Sequence, residues 1–464
     1  MPLSQYDIYS FYRSLPAPLR SVLDAGYYLV PESMKRSRSL KAYLAEYRET
    51  QWYTQEQLHE YQTQRLRTLL TYAARAVPFY KELIDSSALE AGESEPWLVL
   101  RQLPVVDKAF LKNRMGDFSA ASFPQERKYE VTTSGSTGSF FKFPQTKEAF
   151  ERQEALTLRY LDWFGIQRRW RHAIFYRAIM KHPKSDYGGP PYERFRNRLF
   201  LSQFHTDDAG LAYYVEMLND FQPEYFTLFP TTALMLTRHC KKFGTATFKP
   251  KVIMCYSENL YEHHRQEIEE FWGCKVFNRY GASEGCVSAG DCEHQHLHLA
   301  SELGATELLG KDDRPLPLGT EGRVVVTGFH TEVFPFIRYD TGDRGVLSGS
   351  PCACGRMLPT LDYVDGRGDD MIYTKDGKCV AALRDFAIDT AGIRLMQIIQ
   401  EKKGSAVINI VPEKDYSDEA IQQIQENIDE RLGAGHLDVT FRIVEDVERS
   451  PSGKIRLVIS RLPE

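Results

Sequence analysis

The chain has 464 residues, of which 42% are hydrophobic and 26% are charged, and its formal net charge is −5. This length gives room for two or more domains with a well-buried core. The slight negative charge argues against nucleic acid as a partner. No uninterrupted apolar run reaches the roughly 18 residues that a membrane-spanning helix needs.

The N-terminus and the cysteines predict the compartment. Residues 1–24 mix tyrosine, proline, arginine and aspartate and lack the apolar core of a signal peptide. All eight cysteines lie at or beyond Cys240. A disulfide framework is rarely so lopsided in a long chain, so free thiols in a reducing compartment fit better. We expect a cytoplasmic protein.

Hydrophobic periodicity predicts helices first and a mixed α/β region after them. Apolar side chains recur at helical spacing from Gln55 to about Ala76, before Val77-Pro78. The N-terminal helical region at residues 6–47 is a candidate surface for a homodimer. Further on, Val252–Tyr256 is typical of a buried strand, Tyr261–Trp272 of a helix ended by Gly273, and Lys275–Tyr280 of a second strand. Strand, helix and strand in this order predict a parallel sheet, whose ligands gather beyond the carboxyl ends of the strands.

The last hundred residues predict a smaller mixed unit. Residues 406–411 and 439–444 alternate as strands do, and Ser417 can cap a helix that runs to about Leu432. The glycine-rich stretch at 366–368 is a candidate hinge before this unit.

One loop has the composition of a phosphate-binding element. Residues 133–138 read Thr-Ser-Gly-Ser-Thr-Gly, between strand-like segments at 129–132 and 140–143. Hydroxyl groups supply donors, and the glycines let backbone N–H groups approach an anion. The loop lacks the Gly-Lys-Ser/Thr of a P-loop before a helix, which disfavours that class. An ordinary surface turn is the alternative.

Three further segments carry charged groups suited to nucleotide chemistry. Glu284, in Tyr280-Gly281-Ala282-Ser283-Glu284, offers hard oxygen ligands for Mg²⁺, or is a surface carboxylate at the start of a helix. The run Tyr339-Asp340-Thr341-Gly342-Asp343 places two carboxylates in a turn after the strand-like residues 336–338; a carboxylate can accept from both ribose hydroxyls. The alternative is a capped turn with Asp340 bonded to its own backbone. Pro451-Ser452-Gly453-Lys454 puts an ammonium group at the tip of a tight turn.

Taken in order, these motifs resemble those of the AMP-forming adenylate-ligase superfamily, which includes acyl-CoA synthetases, luciferases and peptide-synthetase adenylation domains. The hinge Gly366-Arg367-Gly368-Asp369 belongs to the same set. Within the superfamily, the chain is most similar to the phenylacetate–CoA ligase branch and its CapK-type members. The segments that carry this likeness are Ala76–Tyr80, Leu103–Lys108 and Pro335–Tyr339.

The resemblance implies an α/β fold with a large N-terminal adenylate-forming domain, built on parallel and mixed sheets, and a small mobile α+β domain at the C-terminus. The corresponding boundaries are a helical extension at 1–50, the large domain at 51–366 and the small domain at 367–464. It also implies an enzyme that uses ATP and Mg²⁺ to adenylate a carboxylic acid and passes the acyl group to CoA or another thiol. An amine acceptor is the alternative, and an inactive nucleotide-binding scaffold is a third reading.

The resemblance further implies a role for each motif residue. Lys454, Glu284 and Arg367 would be catalytic, with Glu284 binding Mg²⁺ and Lys454 bridging the carboxylate and the α-phosphate. Asp343 would hold the ribose and Tyr280 would lie beside the adenine. The remaining nucleotide-binding positions are Thr133, Ser134, Gly135, Ser136, Thr137, Gly138, Gly281 and Ser283.

Two short loops rich in cysteine and histidine predict a structural Zn²⁺ site. Cys352-Ala353-Cys354 lies in a loop rich in proline and glycine, and Cys292 precedes three histidines at 294, 296 and 298. Four sulfur and nitrogen ligands suit tetrahedral zinc. We predict Cys292, His298, Cys352 and Cys354 as the ligands, since some phenylacetate-ligase-like proteins carry a comparable pair of loops. Unligated thiols are the alternative, and Cys286 and Cys379 are expected in the core.

No motif in the sequence identifies the carboxylic acid that is the substrate. In the family that the chain resembles, the acid pocket lies between the loop at 228–231, the strand end at 254–258 and the loop at 280–286. The aromatic residues Tyr225, Phe226, Phe229 and Tyr256 are candidates for its lining, although core packing explains them equally well.

Overall fold

A computed structural model gives the structure of the protein. It describes residues 36–120, 123–124, 128–133, 141–167, 169–176, 192–193, 197–202, 208–257, 260, 262–365, 372–377, 379–380, 390, 392–412, 416–448 and 458–462, and the single positions 16, 19, 22 and 26. The phosphate-loop residues 134–140, the hinge at 366–369 and the segment of Lys454 therefore lie outside the described residues.

The helices confirm the periodicity of the sequence. Within the described residues they are α1 (Arg38–Thr50), α2 (Gln55–Ala76), α3 (Pro78–Lys81), α4 (Ser86–Glu90), α5 (Pro96–Gln102), α6 (Lys108–Asn113), α7 (Met115–Phe118), α8 (Lys147–Trp163), α9 (Asp208–Phe221), α10 (Pro230–Phe243), α11 (Glu262–Trp272) and α12 (Glu419–Leu432). A capping box at Thr54 begins α2, and Gly273, at a φ of 64°, follows α11 as predicted.

In the part of the chain that the structure describes, the strands fall into four sheets. In chain order they are β1 (Tyr129–Thr133), β2 (Phe141–Gln145), β3 (His172–Tyr176), β4 (Tyr192–Glu193), β5 (Arg198–Ser202), β6 (Tyr225–Leu228), β7 (Val252–Tyr256), β8 (Lys275–Gly281), β9 (Ser288–Asp291), β10 (Leu297–Leu299), β11 (Gly304–Leu309), β12 (Glu321–Gly328), β13 (Tyr339–Leu347), β14 (Thr360–Asp365), β15 (Ile372–Tyr373), β16 (Cys379–Val380), β17 (Ile393–Lys402), β18 (Ser405–Pro412), β19 (Asp438–Ile443) and β20 (Val458–Ser460). β1 pairs with β2, and β15 with β16, in two small antiparallel sheets.

The largest sheet has 12 strands in the order β11-β12-β13-β14-β10-β9-β8-β7-β6-β3-β5-β4. Its strands β8, β7, β6, β3 and β5 are parallel, with α10 and α11 as crossovers, which confirms the predicted parallel sheet. From β8 to β11 the pairing is antiparallel. The sheet therefore joins a parallel half to an antiparallel half.

The prediction of a turn at residues 339–343 is wrong, because these residues begin strand β13. The preceding residues 336–338 are irregular, and Arg338 has a φ of 48°. Its guanidinium donates to the Leu103 carbonyl at 2.7 Å and meets the Glu307 carboxylate at 3.3 Å. These contacts hold the break in the chain, so the strand begins at Tyr339. The Asp340 carboxylate does accept from the Gly342 N–H, at 2.8 Å, as the alternative reading supposed.

A four-stranded sheet in the order β19-β18-β17-β20 forms near the C-terminus. Its residues form a hydrophobic core of their own with the apolar face of α12, including Ile398, Ile408 and Ile424. The strands at 406–411 and 439–444 are confirmed within a residue. The helix cap is corrected: α12 begins after Asp418, and that residue makes no side-chain cap.

A fully buried ion pair ties the N-terminal helices to the large sheet. The Arg159 guanidinium on α8 contacts the Glu302 carboxylate at 2.5 Å, and both side chains are wholly enclosed. The Thr50 hydroxyl at the end of α1 donates to the same carboxylate at 2.6 Å. In the described part of the chain, no helix is long and apolar enough to cross a membrane.

We predict that Glu302→Gln lowers the free energy of unfolding by about 3–5 kcal/mol, because it leaves Arg159 buried without a counter-charge. Urea denaturation of the full chain measures this difference. The matched control is Glu267→Gln, which removes a carboxylate from the exposed pair with Arg238 and should cost about 0–1 kcal/mol. Equal effects of the two substitutions would contradict the prediction.

Candidate functional site

The segment Tyr280–Glu284 lies at the carboxyl end of β8, where the parallel half of the sheet meets the antiparallel half. A turn follows the strand, closed by the Gly285 N–H donating to the Ala282 carbonyl at 3.0 Å. Gly285 has a φ of 73°, and a Cβ there would come within 2.6 Å of the Gln153 side chain. Only glycine fits this position, so the turn that presents Ser283 and Glu284 is set by local geometry.

Two reciprocal hydrogen bonds join this segment to β13. The Tyr280 hydroxyl donates to the Asp343 carboxylate at 2.8 Å, and the Tyr339 hydroxyl donates to the Glu284 carboxylate at 3.0 Å. Each segment thus supplies one tyrosine and one carboxylate, and each tyrosine binds the carboxylate of the other segment. The structure brings together two motifs that lie about sixty residues apart in the sequence.

Burial sets the electrostatics of these groups. Enclosure, and then the neighbouring Asp343 carboxylate, raise the pKa of Tyr280 well above its usual value, so its hydroxyl remains a neutral donor. Glu284 is buried rather than a surface carboxylate at a helix start, which corrects that alternative. One of its carboxylate oxygens accepts from Tyr339; the other has no hydrogen-bond partner among the described residues. A buried carboxylate with a vacant oxygen fits a hard cation such as Mg²⁺.

The strands on either side of the phosphate loop are present as predicted. β1 ends at Thr133 and β2 begins at Phe141, in antiparallel register. The Gln145 side chain at the end of β2 donates to the backbone carbonyls of Ser283, at 3.3 Å, and Glu284, at 2.8 Å. Thus β2 contacts the turn after β8 directly. Among the predicted residues, Ser134 to Gly138, Arg367 and Lys454 lie outside the described residues.

The predicted cysteine and histidine residues form a cluster on the antiparallel half of the sheet. Cys292 follows β9, His298 lies in β10, and the other two cysteines lie in the loop between β13 and β14. The ligand atoms of Cys292, His298, Cys352 and Cys354 all lie within 4.8 Å of one another. The Cys292 and Cys352 sulfurs are 3.6 Å apart, and the Cys354 sulfur is 3.3 Å from Nε2 of His298. The competing His294 and His296 are exposed.

This donor set fits zinc. Tetrahedral Zn²⁺ with Zn–S bonds of about 2.3 Å separates its ligand atoms by about 3.5–3.8 Å, close to the observed spacings. His298 Nδ1 lies 3.0 Å from the Leu358 carbonyl; since a carbonyl only accepts, Nδ1 carries the proton and Nε2 offers its lone pair. Burial lowers the pKa of His298 to about 4, which keeps the imidazole neutral. It raises the pKa of Cys292 to about 12, so a metal would displace the thiol protons.

Two contributors to the site were absent from the sequence predictions. Tyr339 belongs to two of the motif segments, Pro335–Tyr339 and the run at 339–343, but no role is predicted for it. Gln145 belongs to none of the motifs. A signal for Tyr339 does exist, because both segments place a tyrosine four residues before a carboxylate: Tyr280 before Glu284, and Tyr339 before Asp343. Gln145 has no such signal, since its role depends on the approach of β2 to the turn.

The aromatic residues proposed for the acid pocket divide into two groups. Tyr225 and Phe226 are buried, and Tyr225 stacks on His172 with a centroid distance of 3.9 Å, so both are core residues. Phe229 and Tyr256 pack against each other at 5.2 Å, at the carboxyl ends of β6 and β7. Cys286 is buried, as expected; the side chain of Cys379 lies outside the described residues.

Several known proteins are similar to this chain in sequence or in fold. Residues 372–461 match the CapK C-terminal domain family. Protein CapK of Staphylococcus aureus is 24% identical over 420 residues, which are 87% of this chain and 90% of that protein. A phenylacetate–coenzyme A ligase of Thermus thermophilus is 26% identical over 69% of this chain and 72% of its own length. A crystal structure of 2-hydroxyisobutyryl-CoA ligase with 2-HIB-AMP and CoA shares the fold, with a TM-score of 0.57 and 18% identity over 86% of this chain and 89% of that one.

The match to the CapK C-terminal domain family, the relatives named CapK and phenylacetate–CoA ligase, and the shared fold support the AMP-forming adenylate-ligase superfamily, in its phenylacetate–CoA ligase and CapK branch.

We predict that Tyr280→Phe and Tyr339→Phe each lower the free energy of unfolding by about 1–3 kcal/mol, because each removes a buried hydroxyl that donates to a carboxylate. Chemical denaturation measures the loss. Tyr129→Phe, at a tyrosine that is 40% exposed, is the matched control and should change little. The two bonds would not support the fold if both substitutions matched this control.

Proposed function

We propose that the protein is an ATP-dependent, AMP-forming ligase that adenylates a carboxylic acid and transfers the acyl group to CoA or another thiol. The observation that carries this proposal is the reciprocal pairing of Tyr280 with Asp343 and of Tyr339 with Glu284. This pairing supports the proposal because it joins both carboxylates, to which we assign different tasks, to the carboxyl end of β8, where ligands of such sheets bind.

The proposed roles follow from the chemistry of each group. Asp343 would accept from the ribose hydroxyls, and Tyr280 would lie beside the adenine. Glu284 would hold Mg²⁺, which neutralises phosphate charge when bound. Ser283, exposed in the turn, would lie near the α-phosphate. The loop residues that would hold the β- and γ-phosphates are Thr133, Ser134, Gly135, Ser136, Thr137 and Gly138.

The reaction must bring an anionic acid to a polyanion. A carboxylate oxygen attacks the α-phosphorus, the bond to pyrophosphate breaks, and an acyl-AMP remains. In the second step a thiol attacks the acyl carbon and AMP leaves. Lys454 would offset the charge that develops between the carboxylate and the α-phosphate, with Arg367 assisting at the ribose or phosphate. A proposed large domain at 51–366 and small domain at 367–464 would let the second rotate between the two steps.

We predict that pyrophosphate release, assayed with ATP and Mg²⁺ across a panel of aryl, fatty and amino acids, depends on the acid and rises with CoA. Lys454→Ala should slow it about 100- to 1000-fold, because one preorganised cation is lost. Lys311→Ala, at an exposed lysine, is the control.

Other outcomes of the same assay have distinct meanings. Acid-dependent release that is indifferent to CoA would shift the acceptor to an amine. An unchanged rate in the Lys454 variant would contradict the role of that residue. If no acid in the panel causes release of pyrophosphate while ATP still binds, the result would favour either an acid outside the panel or the inactive nucleotide-binding scaffold.

We further propose that the cluster of Cys292, His298, Cys352 and Cys354 holds a structural Zn²⁺. Thiols kept for metal binding also agree with the proposed cytoplasmic location. The cluster joins the β9–β10 hairpin to the loop before β14, so a metal there would stabilise the antiparallel half of the sheet.

Purified protein should therefore contain about one zinc per chain by elemental analysis. Cys352→Ser and Cys354→Ser should each lose most of this metal and lower the melting temperature, because zinc has too few ligands left. Cys274→Ser, at a thiol outside the cluster, is the matched control. Folded protein without zinc, even when expressed with added metal, would contradict the proposal.

A further inference from the structure

Arg279 is a partly buried arginine beside the candidate site that has no counter-charge among the described residues. It lies in β8 immediately before Tyr280, opposite Tyr256 of β7 and Gly290 of β9. Its Nε is enclosed and has no hydrogen-bond partner. Among the described residues, no carboxylate forms an ion pair with its guanidinium. Desolvation lowers the pKa of Arg279, but an arginine stays protonated in proteins, so a cation is held there at a free-energy cost.

The other enclosed arginines show that this chain otherwise pairs such charges. Each arginine that is buried in the described part of the chain contacts a carboxylate. These pairs are Arg159 with Glu302, Arg265 with Asp291, Arg338 with Glu307, and Arg356 with Glu293. Arg279, which is half-buried, has no such partner among the described residues, and it lies at the end of the sheet where ligands bind.

Two tyrosines, Tyr160 and Tyr256, lie next to the Arg279 guanidinium. It lies over the Tyr160 ring, 5.1 Å from the centroid, and the same ring packs so closely on Gly290 that a Cβ there would lie 2.6 Å away. Tyr256, on the neighbouring strand, donates its hydroxyl to the Phe175 carbonyl at 3.0 Å and packs on Phe229. The neutral hydroxyls and rings enclose the cation but do not neutralise it.

The direction of Arg279 separates it from the nucleotide groups. Successive side chains of a strand point to opposite faces of the sheet. Tyr280 faces Asp343, so Arg279 faces the other side, toward Tyr160. An anion that reaches Arg279 would therefore belong to the part of the substrate that is not the nucleotide, which is the acyl group.

We propose that Arg279 binds a second anionic group on the substrate acid, so that the protein selects carboxylic acids bearing a further negative charge, with dicarboxylic acids as the simplest members of this class. The proposal rests on the proposed adenylating function. In this proposal Arg279 determines substrate specificity. The distal anionic group of the acid binds the Arg279 guanidinium, while the other carboxylate remains free to attack ATP.

The test compares matched acids that differ only in the second charge. Pyrophosphate release is measured with a series of dicarboxylic acids and with the monoamide of each. In the wild type the diacids should be preferred. In Arg279→Leu, kcat/KM for the preferred diacid should fall about ten- to a hundredfold, as expected for loss of a charge-assisted hydrogen bond. The value for the monoamide should stay the same or rise, and Arg279→Lys should retain part of the preference for the diacid.

Two controls guard against trivial effects. Arg238→Leu removes a positive charge at an exposed position and should leave the preference intact. The melting temperature of Arg279→Leu shows whether this variant folds. Diacid binding is also measured without turnover, in the presence of a non-hydrolysable ATP analogue, as the rise in melting temperature that the diacid causes. That rise should occur in the wild type and be lost in Arg279→Leu.

The outcomes separate this inference from the proposed function. Release of pyrophosphate with acids that carry no second charge, but not with diacids, would leave the proposed function standing and overturn the inference. An equal fall for a diacid and its monoamide would overturn it as well, because Arg279 would then act on a group common to both acids or on the nucleotide. Diacid binding that depends on Arg279, with no release of pyrophosphate, would support the anion site and contradict the ligase function.

Discussion

The candidate site depends on the crossed hydrogen bonds between two tyrosines and two carboxylates. Strands β8 and β13 are not neighbours, since β9, β10 and β14 lie between them in the sheet. Tyr280 reaches Asp343, and Tyr339 reaches Glu284, only if the antiparallel half curls back over the end of β8. A buried carboxylate is costly without a donor, so each bond supports the curled sheet and also sets a functional carboxylate in place.

The same curl requires the strands between β8 and β13 to keep their register. The cysteine and histidine cluster lies at this point, because Cys292 and His298 come from the β9–β10 hairpin, and Cys352 and Cys354 come from the loop between β13 and β14. β14 pairs with both β10 and β13. A shift of β14 along β10 would carry β13 with it and move Asp343 away from Tyr280. A metal held by the cluster would therefore act on the site through strand register rather than by contact.

The sequence predicts the elements whose pattern is local. The helices α2 and α11, the strands β7 and β8 and the parallel order between them follow from periodicity and from glycine and proline at their ends. The grouping of the four cluster residues was also predicted, with help from the family resemblance. The start of β13 was not, because it depends on Arg338, which contacts the distant Leu103 and Glu307. The pairing of each tyrosine with the carboxylate of the other motif is likewise a tertiary fact that no local pattern contains.

The buried arginines of the described residues are paired with carboxylates. Enclosing a guanidinium costs several kcal/mol unless a carboxylate compensates it, and the chain meets this cost at Arg159, Arg265, Arg338 and Arg356, all of which have structural positions. Leaving one guanidinium uncompensated at Arg279 lowers stability without any gain in packing that a neutral side chain would not also provide. Such a cost is expected where a ligand supplies the missing charge, because sites of function are where local rules of stability are broken. In this proposal Arg279 would recognise an anion on one side of β8, and Glu284 and Asp343 would serve the nucleotide on the other.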